Sequence, residues 1–167
     1  MVNKRLTWLL EKKISSTQCG FRKGRCTEDL LVNLEHQVRS SLVNRKVTIG
    51  VFFDLKQAFD NASHQHILYK LAKAGIRGNL LSWVEEYLNN RSFQVLVENS
   101  KSYKRDINRG VPQGSILSPT LFNILMCDIL HFEKVKISEY ADDVAIIITA
   151  ESPDEAKKTH PGGHRKA

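Results

Sequence analysis

The chain has 167 residues, enough for one domain with a real core and too few for two comfortably. Its 25 Lys and Arg against 18 Asp and Glu leave a net charge of +7, which favours a polyanionic partner such as nucleic acid, although Lys157, Lys158, Arg165 and Lys166 supply part of the surplus. No run approaches the roughly twenty apolar residues of a membrane span. The first ten residues have too short an apolar core for a secretory signal, and Cys19, Cys26 and Cys127 lack the paired spacing of a zinc site. The chain is therefore expected to be intracellular, cytoplasmic or nuclear, with reduced thiols and no membrane contact.

Residues 3–13 predict a short amphipathic helix with Leu6, Leu9 and Leu10 on one side, followed by a polar loop, Ser15 to Gln18. In Cys19-Gly-Phe-Arg-Lys-Gly-Arg25 two glycines let backbone approach a ligand, and Arg22, Lys23 and Arg25 offer donors to phosphate oxygens. An ordinary basic turn ahead of a helix would read the same way. Thr27 as N-cap, Glu28 and Asp29 in the first turn and Leu30, Leu34, Val38 and Leu42 at i, i+4 spacing predict a helix packed on a core.

Val47 to Phe53 is an apolar, β-rich run that ends abruptly at Asp54, so this acid should emerge at a strand end. Phe59 follows five residues later and could be core. Helices are predicted over 64–74, with Gly75 as the C-terminal stop, and over 79–88. His64 and His66 are discarded as metal ligands because i, i+2 spacing points them to different helix faces. Phe93–Val97 and Tyr103–Ile107 predict paired strands around a turn at 98–102. Arg109-Gly-Val-Pro-Gln-Gly-Ser115 presents the Gln113 amide between a fixed and a free backbone angle, a lip suited to a planar or phosphorylated ligand or a plain turn. Ser118-Pro119 opens a helix through Leu121, Phe122, Leu125 and Ile129.

Glu139-Tyr-Ala-Asp-Asp143 lies between the alternating segment Val135, Ile137, Glu139 and the apolar run Val144 to Ile148, which predicts a strand, a tight turn and a buried strand. Asp142 and Asp143 side by side repel, so they need a compensating cation or full exposure. An acidic pair is common in solvated surface turns. Asp54, at another strand end, makes convergence on a hard divalent metal the sharper expectation. Two magnesium ions held by three such acids could activate a 3′-hydroxyl, align it with an α-phosphate and offset leaving-group charge.

Five separated segments, Gln18 to Arg25, Phe53 to Asp60, Arg109 to Pro119, the helix after it, and Tyr140 to Asp143, together resemble the reverse transcriptase of non-LTR, LINE-like retrotransposons, with the arthropod jockey-like kind as the nearest flavour. The resemblance covers roughly residues 3–150. It implies an α+β right-hand polymerase fold, of which the chain holds partial fingers and most of the palm, an antiparallel sheet with packed helices, and no thumb. It further implies that Asp54, Asp142 and Asp143 are the catalytic metal ligands and that the Leu55 carbonyl faces a metal. Phe59 would crowd the sugar 2′ position, Gln113 would lie beside nucleotide and template, and Arg22 or Arg25 would touch the triphosphate. The implied cofactor is Mg2+, two ions, with Mn2+ as an alternative; the implied partners are an RNA template, a DNA primer and a deoxynucleotide.

The family's thumb and primer-gripping hairpin are expected to be missing, since the chain stops 24 residues after Asp143 (167 − 143), and residues 151–167 are expected to be a disordered tail foreign to the family. A frame change, a premature stop or a wrong gene model would each produce such a tail. Two functions of different class follow: an RNA-directed DNA polymerase domain, or a decayed, inactive retroelement fragment that at most binds nucleic acid. An RNA-copying or intron-encoded palm polymerase is disfavoured by Phe59 and by Tyr-Ala-Asp-Asp. Oligomeric state is not legible.

Overall fold

The structure is a computed structural model, and it describes residues 1–128 and 135–159. Two compact units are present, one of Met1–Ile14 with Gln57–Met126, the other of Ser15–Lys56 with the described residues from Cys127 onward.

The first unit is helical. It contains α1 (Val2–Leu10), α3 (His64–Lys73), α4 (Asn79–Leu88) and α5 (Ser118–Met126), with α5 against α1 and α3, and α3 against α4. Apolar side chains of all four helices supply the core: Leu6 and Leu10, Ile67 and Leu71, Val84 and Leu88, and Leu121 and Phe122 are buried. In α5 the buried neighbour is Ile124, while Leu125, expected on the stripe, is half-buried. Ser63, which did not stand out in the sequence, caps α3 by accepting from the His66 amide. Gly75 follows the C-terminus at φ +94, as the sequence predicts. At the end of α5, where the last carbonyls lack helical donors, Lys70 Nζ donates to the Leu125 carbonyl. Residue 129, expected in that helix, lies outside the described residues.

The hairpin expected between 93 and 107 is broken into two short ladders, β2 (Ser92–Phe93) with β5 (Arg105–Asp106), and β3 (Leu96–Val97) with β4 (Ser100–Lys101). The break has a local cause. The Ser102 hydroxyl accepts from the Val95 amide at 2.9 Å and takes the place of a ladder carbonyl, while the Ser102 amide donates to the Val95 carbonyl.

The second unit is a three-stranded antiparallel sheet in the order β1 (Val47–Phe53), β7 (Asp143–Ala150), β6 (Lys136–Tyr140), with α2 (Thr27–Val43) packed on β1. β7 is central and buries Val144, Ile146, Ile147, Ile148 and Ala150. Two expectations for α2 are corrected. Its N-cap is Cys26, whose amide donates to Asp29 at 3.0 Å, one residue before Thr27. Its apolar stripe is largely at the surface: Leu42 is 69% exposed, Leu31 and Val38 are exposed too, and the one buried residue is Ser41, bonded to Thr149 at 3.1 Å.

Residues 151–167 were expected to lack order, yet α6 (Pro153–Thr159) forms against β7 and β1 and buries Ala156 completely. The Glu155 amide donates to the Ser152 hydroxyl and the Glu155 carboxylate accepts from the Glu151 amide, a reciprocal cap with Pro153 in the first helical position. Residues 160–167 lie outside the described residues. No helix among the described residues is long and apolar enough to cross a membrane.

Candidate active site

In the second unit the sheet register brings the three acids to one end. β1 and β7 run antiparallel with Phe53 opposite Val144, so Asp54 leaves β1 one step beyond the last pair, beside the start of β7 at Asp143. β6 and β7 close with Tyr140 opposite Asp143, which leaves Ala141 and Asp142 as a two-residue turn. Adjacent strands lie about 4.8 Å apart. Asp54 and Asp143 are exposed and Asp142 half-buried. Among the described residues no three His, Cys, Asp or Glu side chains are gathered closely enough to hold a metal ion, so the carboxylates share a sheet end without a ready-made ligand cluster. Beside them Asp143 lines an apolar groove of about 450 Å³ with Leu30 and Leu34 of α2, Phe52, Phe53 and Tyr140. Leu55 follows Asp54 and is half-buried.

The turn is held from the 15–25 loop. The Cys19 amide donates to the Glu139 carbonyl at 2.8 Å and the Glu139 amide to the Thr17 carbonyl at 3.1 Å, extending the sheet by a parallel bridge. Gln18, 1% exposed, donates from Nε2 to the Ala141 carbonyl at 3.0 Å, and its Oε1 accepts from the amides of Ala141 at 2.9 Å and Gly20 at 2.8 Å. Gly20 is required by packing: a Cβ there would overlap the Ala141 amide nitrogen and lie 2.9 Å from its Cα. Arg22 donates through Nη1 to the Ser15 carbonyl at 2.7 Å and the Gln18 carbonyl at 3.1 Å, and Arg25 to the Ser16 carbonyl at 3.2 Å. Both guanidiniums thus brace the loop that bears them, the structural alternative to phosphate contact.

Glu139 points into this support. It is 3% exposed, accepts from the Thr17 hydroxyl at 2.8 Å, and leaves Oε2 buried with no partner among the described residues. Burial pushes its carboxyl above the usual carboxylate range, with the Thr17 hydrogen bond opposing. Neither Gln18 nor Glu139 stood out in the sequence as a site residue.

In the first unit the 109–119 loop is bound to the 57–64 segment. The Gly110 amide donates to the Ala62 carbonyl at 2.7 Å, the Val111 amide to the Phe59 carbonyl at 2.9 Å, and His64 Nε2 meets the Gly110 carbonyl at 2.7 Å. His64 is thus a buried residue that ties the loop to the start of α3. Gln113 is exposed and donates to Asp60 Oδ1 at 3.0 Å. The Phe59 ring stacks on Phe122, with centroids 4.4 Å apart and planes at 11°, so the core-packing role is realised, and one part of the residue remains accessible.

A family model described as reverse transcriptase (RNA-dependent DNA polymerase) matches residues 1–162, which carries the match beyond the expected limit near 150. Over 149 residues the chain is 35% identical to the RNA-directed DNA polymerase from mobile element jockey of Drosophila melanogaster, covering 84% of this chain and 16% of that protein. It is 31% identical, over the same length and with the same shares, to the probable RNA-directed DNA polymerase from transposon BS of that species. A solved structure of telomerase from Candida albicans, in complex with the TWJ fragment of telomeric RNA, has a TM-score of 0.67 at 14% identity, covering 94% of this chain and 30% of that one. That likeness bears on the fold, and it fits the mixed helices and antiparallel sheet of a partial fingers and palm. The chain spans 16% of the length of the two curated relatives just described.

Proposed function

The chain belongs to the reverse transcriptase (RNA-dependent DNA polymerase) family, and from that premise we propose that it carries the nucleotidyl-transfer centre of a non-LTR retrotransposon polymerase, with Asp54, Asp142 and Asp143 as its acids. The observation that carries the reading is the register, which sets Asp54 beside the strand that begins at Asp143 and follows the Ala141-Asp142 turn. All three ligands are carboxylates, and hard oxygen donors of this kind suit magnesium, with manganese as the alternative. Bound there, such ions would lower the pKa of a primer 3′-hydroxyl and offset charge on the pyrophosphate leaving group.

The chain's own contribution is placement. Phosphoryl transfer asks for position and charge neutralisation more than for covalent chemistry, and the three strands together with the 15–25 loop fix where the acids emerge. In the helical unit Phe59 is assigned to the sugar 2′ position and Gln113 to the nucleotide and template, each from an accessible surface. The Leu55 carbonyl and one of Arg22 and Arg25 complete the reading, the arginine at the expense of its present loop contact. The net charge of +7 favours template and primer backbones as partners. On this reading the protein acts in the cytoplasm or nucleus.

The test is extension of a DNA primer on an RNA template by the purified chain with magnesium and deoxynucleotides. Extension that stops in Asp142→Asn supports the reading. No extension by a folded chain would leave a palm fragment that at most holds nucleic acid.

A further inference from the structure

Ala141 occupies the left-handed region at φ +58, without the freedom of glycine, immediately before Asp142. A single residue there carries strain and persists only where its surroundings over-determine it. The Gly20 backbone packs against Ala141, and one side chain bonds both of its backbone polar groups. Gln18 meets both the amide and the carbonyl of Ala141, across 123 residues of chain, while its Oε1 also takes the Gly20 amide. The orientation of the Gln18 amide is fixed by these partners, since the opposite flip would aim an NH2 group at two N–H donors. Buried and triply bonded, it has one way to sit.

We propose that Gln18 is a positioning residue for nucleotidyl transfer: by holding both polar groups of Ala141 it fixes the turn from which Asp142 and Asp143 are presented. The proposal rests on the reading of those acids as the reacting centre. A bidentate amide on one residue resists rotation of the turn about the strand axis, which a single hydrogen bond would allow. Gly20 gives the loop its close approach, because any side chain there would drive loop and turn apart. Gln18 touches no substrate in this role and acts only through the backbone it holds. Outer residues that orient metal-binding carboxylates typically matter by about 10- to 100-fold in metal affinity or activity.

The experiment compares the full chain with Gln18→Leu, which keeps the volume and removes both polar groups, and with Gln18→Glu, which keeps the acceptor and turns a second oxygen toward the Ala141 carbonyl. Amide hydrogen exchange is read by NMR, manganese binding by the loss of the free-ion signal, and extension as kcat and KM for deoxynucleotide. The expected result is that Gln18→Leu leaves the β1–β7 amides protected, deprotects Ala141, weakens manganese binding about 10-fold and lowers kcat 10- to 100-fold with KM within about twofold. Should Gln18→Leu lose sheet protection, Gln18→Glu decides by the same readouts. Unchanged manganese affinity in a variant with Ala141 deprotected overturns the positioning role. If the unaltered chain extends no primer, the functional reading fails, and exchange with manganese binding still decides whether Gln18 orients the acids.

Discussion

Gly110 and Gly114 both sit at positive φ, +86 and +82, in the loop that presents Gln113, but only one of them is crowded. A Cβ on Gly114 meets nothing within 4 Å, whereas on Gly110 it would lie 2.7 Å from the Asp60 carbonyl oxygen and 3.0 Å from the Asp60 Cα. Gly114→Ala therefore carries left-handed strain of about 1–2 kcal/mol, offset by roughly 0.4–1 kcal/mol from a stiffer unfolded chain. Gly110→Ala carries the same balance plus overpacking against backbone, about 1–3 kcal/mol. Relief by moving the loop would weaken the Gly110 bonds to Ala62 and His64, at roughly 0.5–1.5 kcal/mol each. Urea denaturation of both variants should place Gly110→Ala at least about 1 kcal/mol below Gly114→Ala, the lower end of the overpacking range. Equal losses would refute the close approach of the loop to Asp60.

Burial holds the Glu139 carboxyl above its ordinary value of 4.5, so the folded chain holds that proton more tightly than the unfolded one. Its contribution is fully present below the unfolded pKa and is lost as pH rises through the higher folded pKa. Glu139→Gln should remove that loss, and its stability advantage over the unaltered chain should grow across the interval above pH 4.5; an advantage independent of pH in urea titrations would contradict it. Ile146, fully buried in β7 between Val51 and Ile137, should cost about 2–5 kcal/mol as Ile146→Ala. Calorimetry should record a drop of roughly 2–4 °C per kcal/mol for a chain of this size, and a drop under 2 °C would mean that β7 is not the centre of the core.

Elements whose signal is local were legible. The bounds of β1, α3 and α4 follow from apolar runs and, for β1 and α3, from punctuation at Asp54 and Gly75, and the positions of the three carboxylates follow from where strands end. Features decided at a distance were not. Gln18 reads as one more polar loop residue because its partner lies 123 positions away, and the spacing of Leu30, Leu34, Val38 and Leu42 shows a stripe without showing that much of it faces outward. The hydroxyl of Ser102 competes with the ladder in a way that strand propensity does not register. For α6 the signals were present in Ser152-Pro-Asp-Glu155, but the glycine and basic residues beyond them dominated the composition.

The most direct measurement is single-nucleotide incorporation on an RNA template by Asp54→Asn, Asp142→Asn and Asp143→Asn, each beside a circular dichroism spectrum. If the sheet end is the nucleotidyl-transfer centre, every variant stays folded and loses at least roughly 10²-fold in rate, as expected when one element of a charge-stabilising site is removed. A folded Asp54→Asn chain that incorporates at the unaltered rate would show that the strand leaving at Phe53 does not serve the same centre as the Asp142-Asp143 turn.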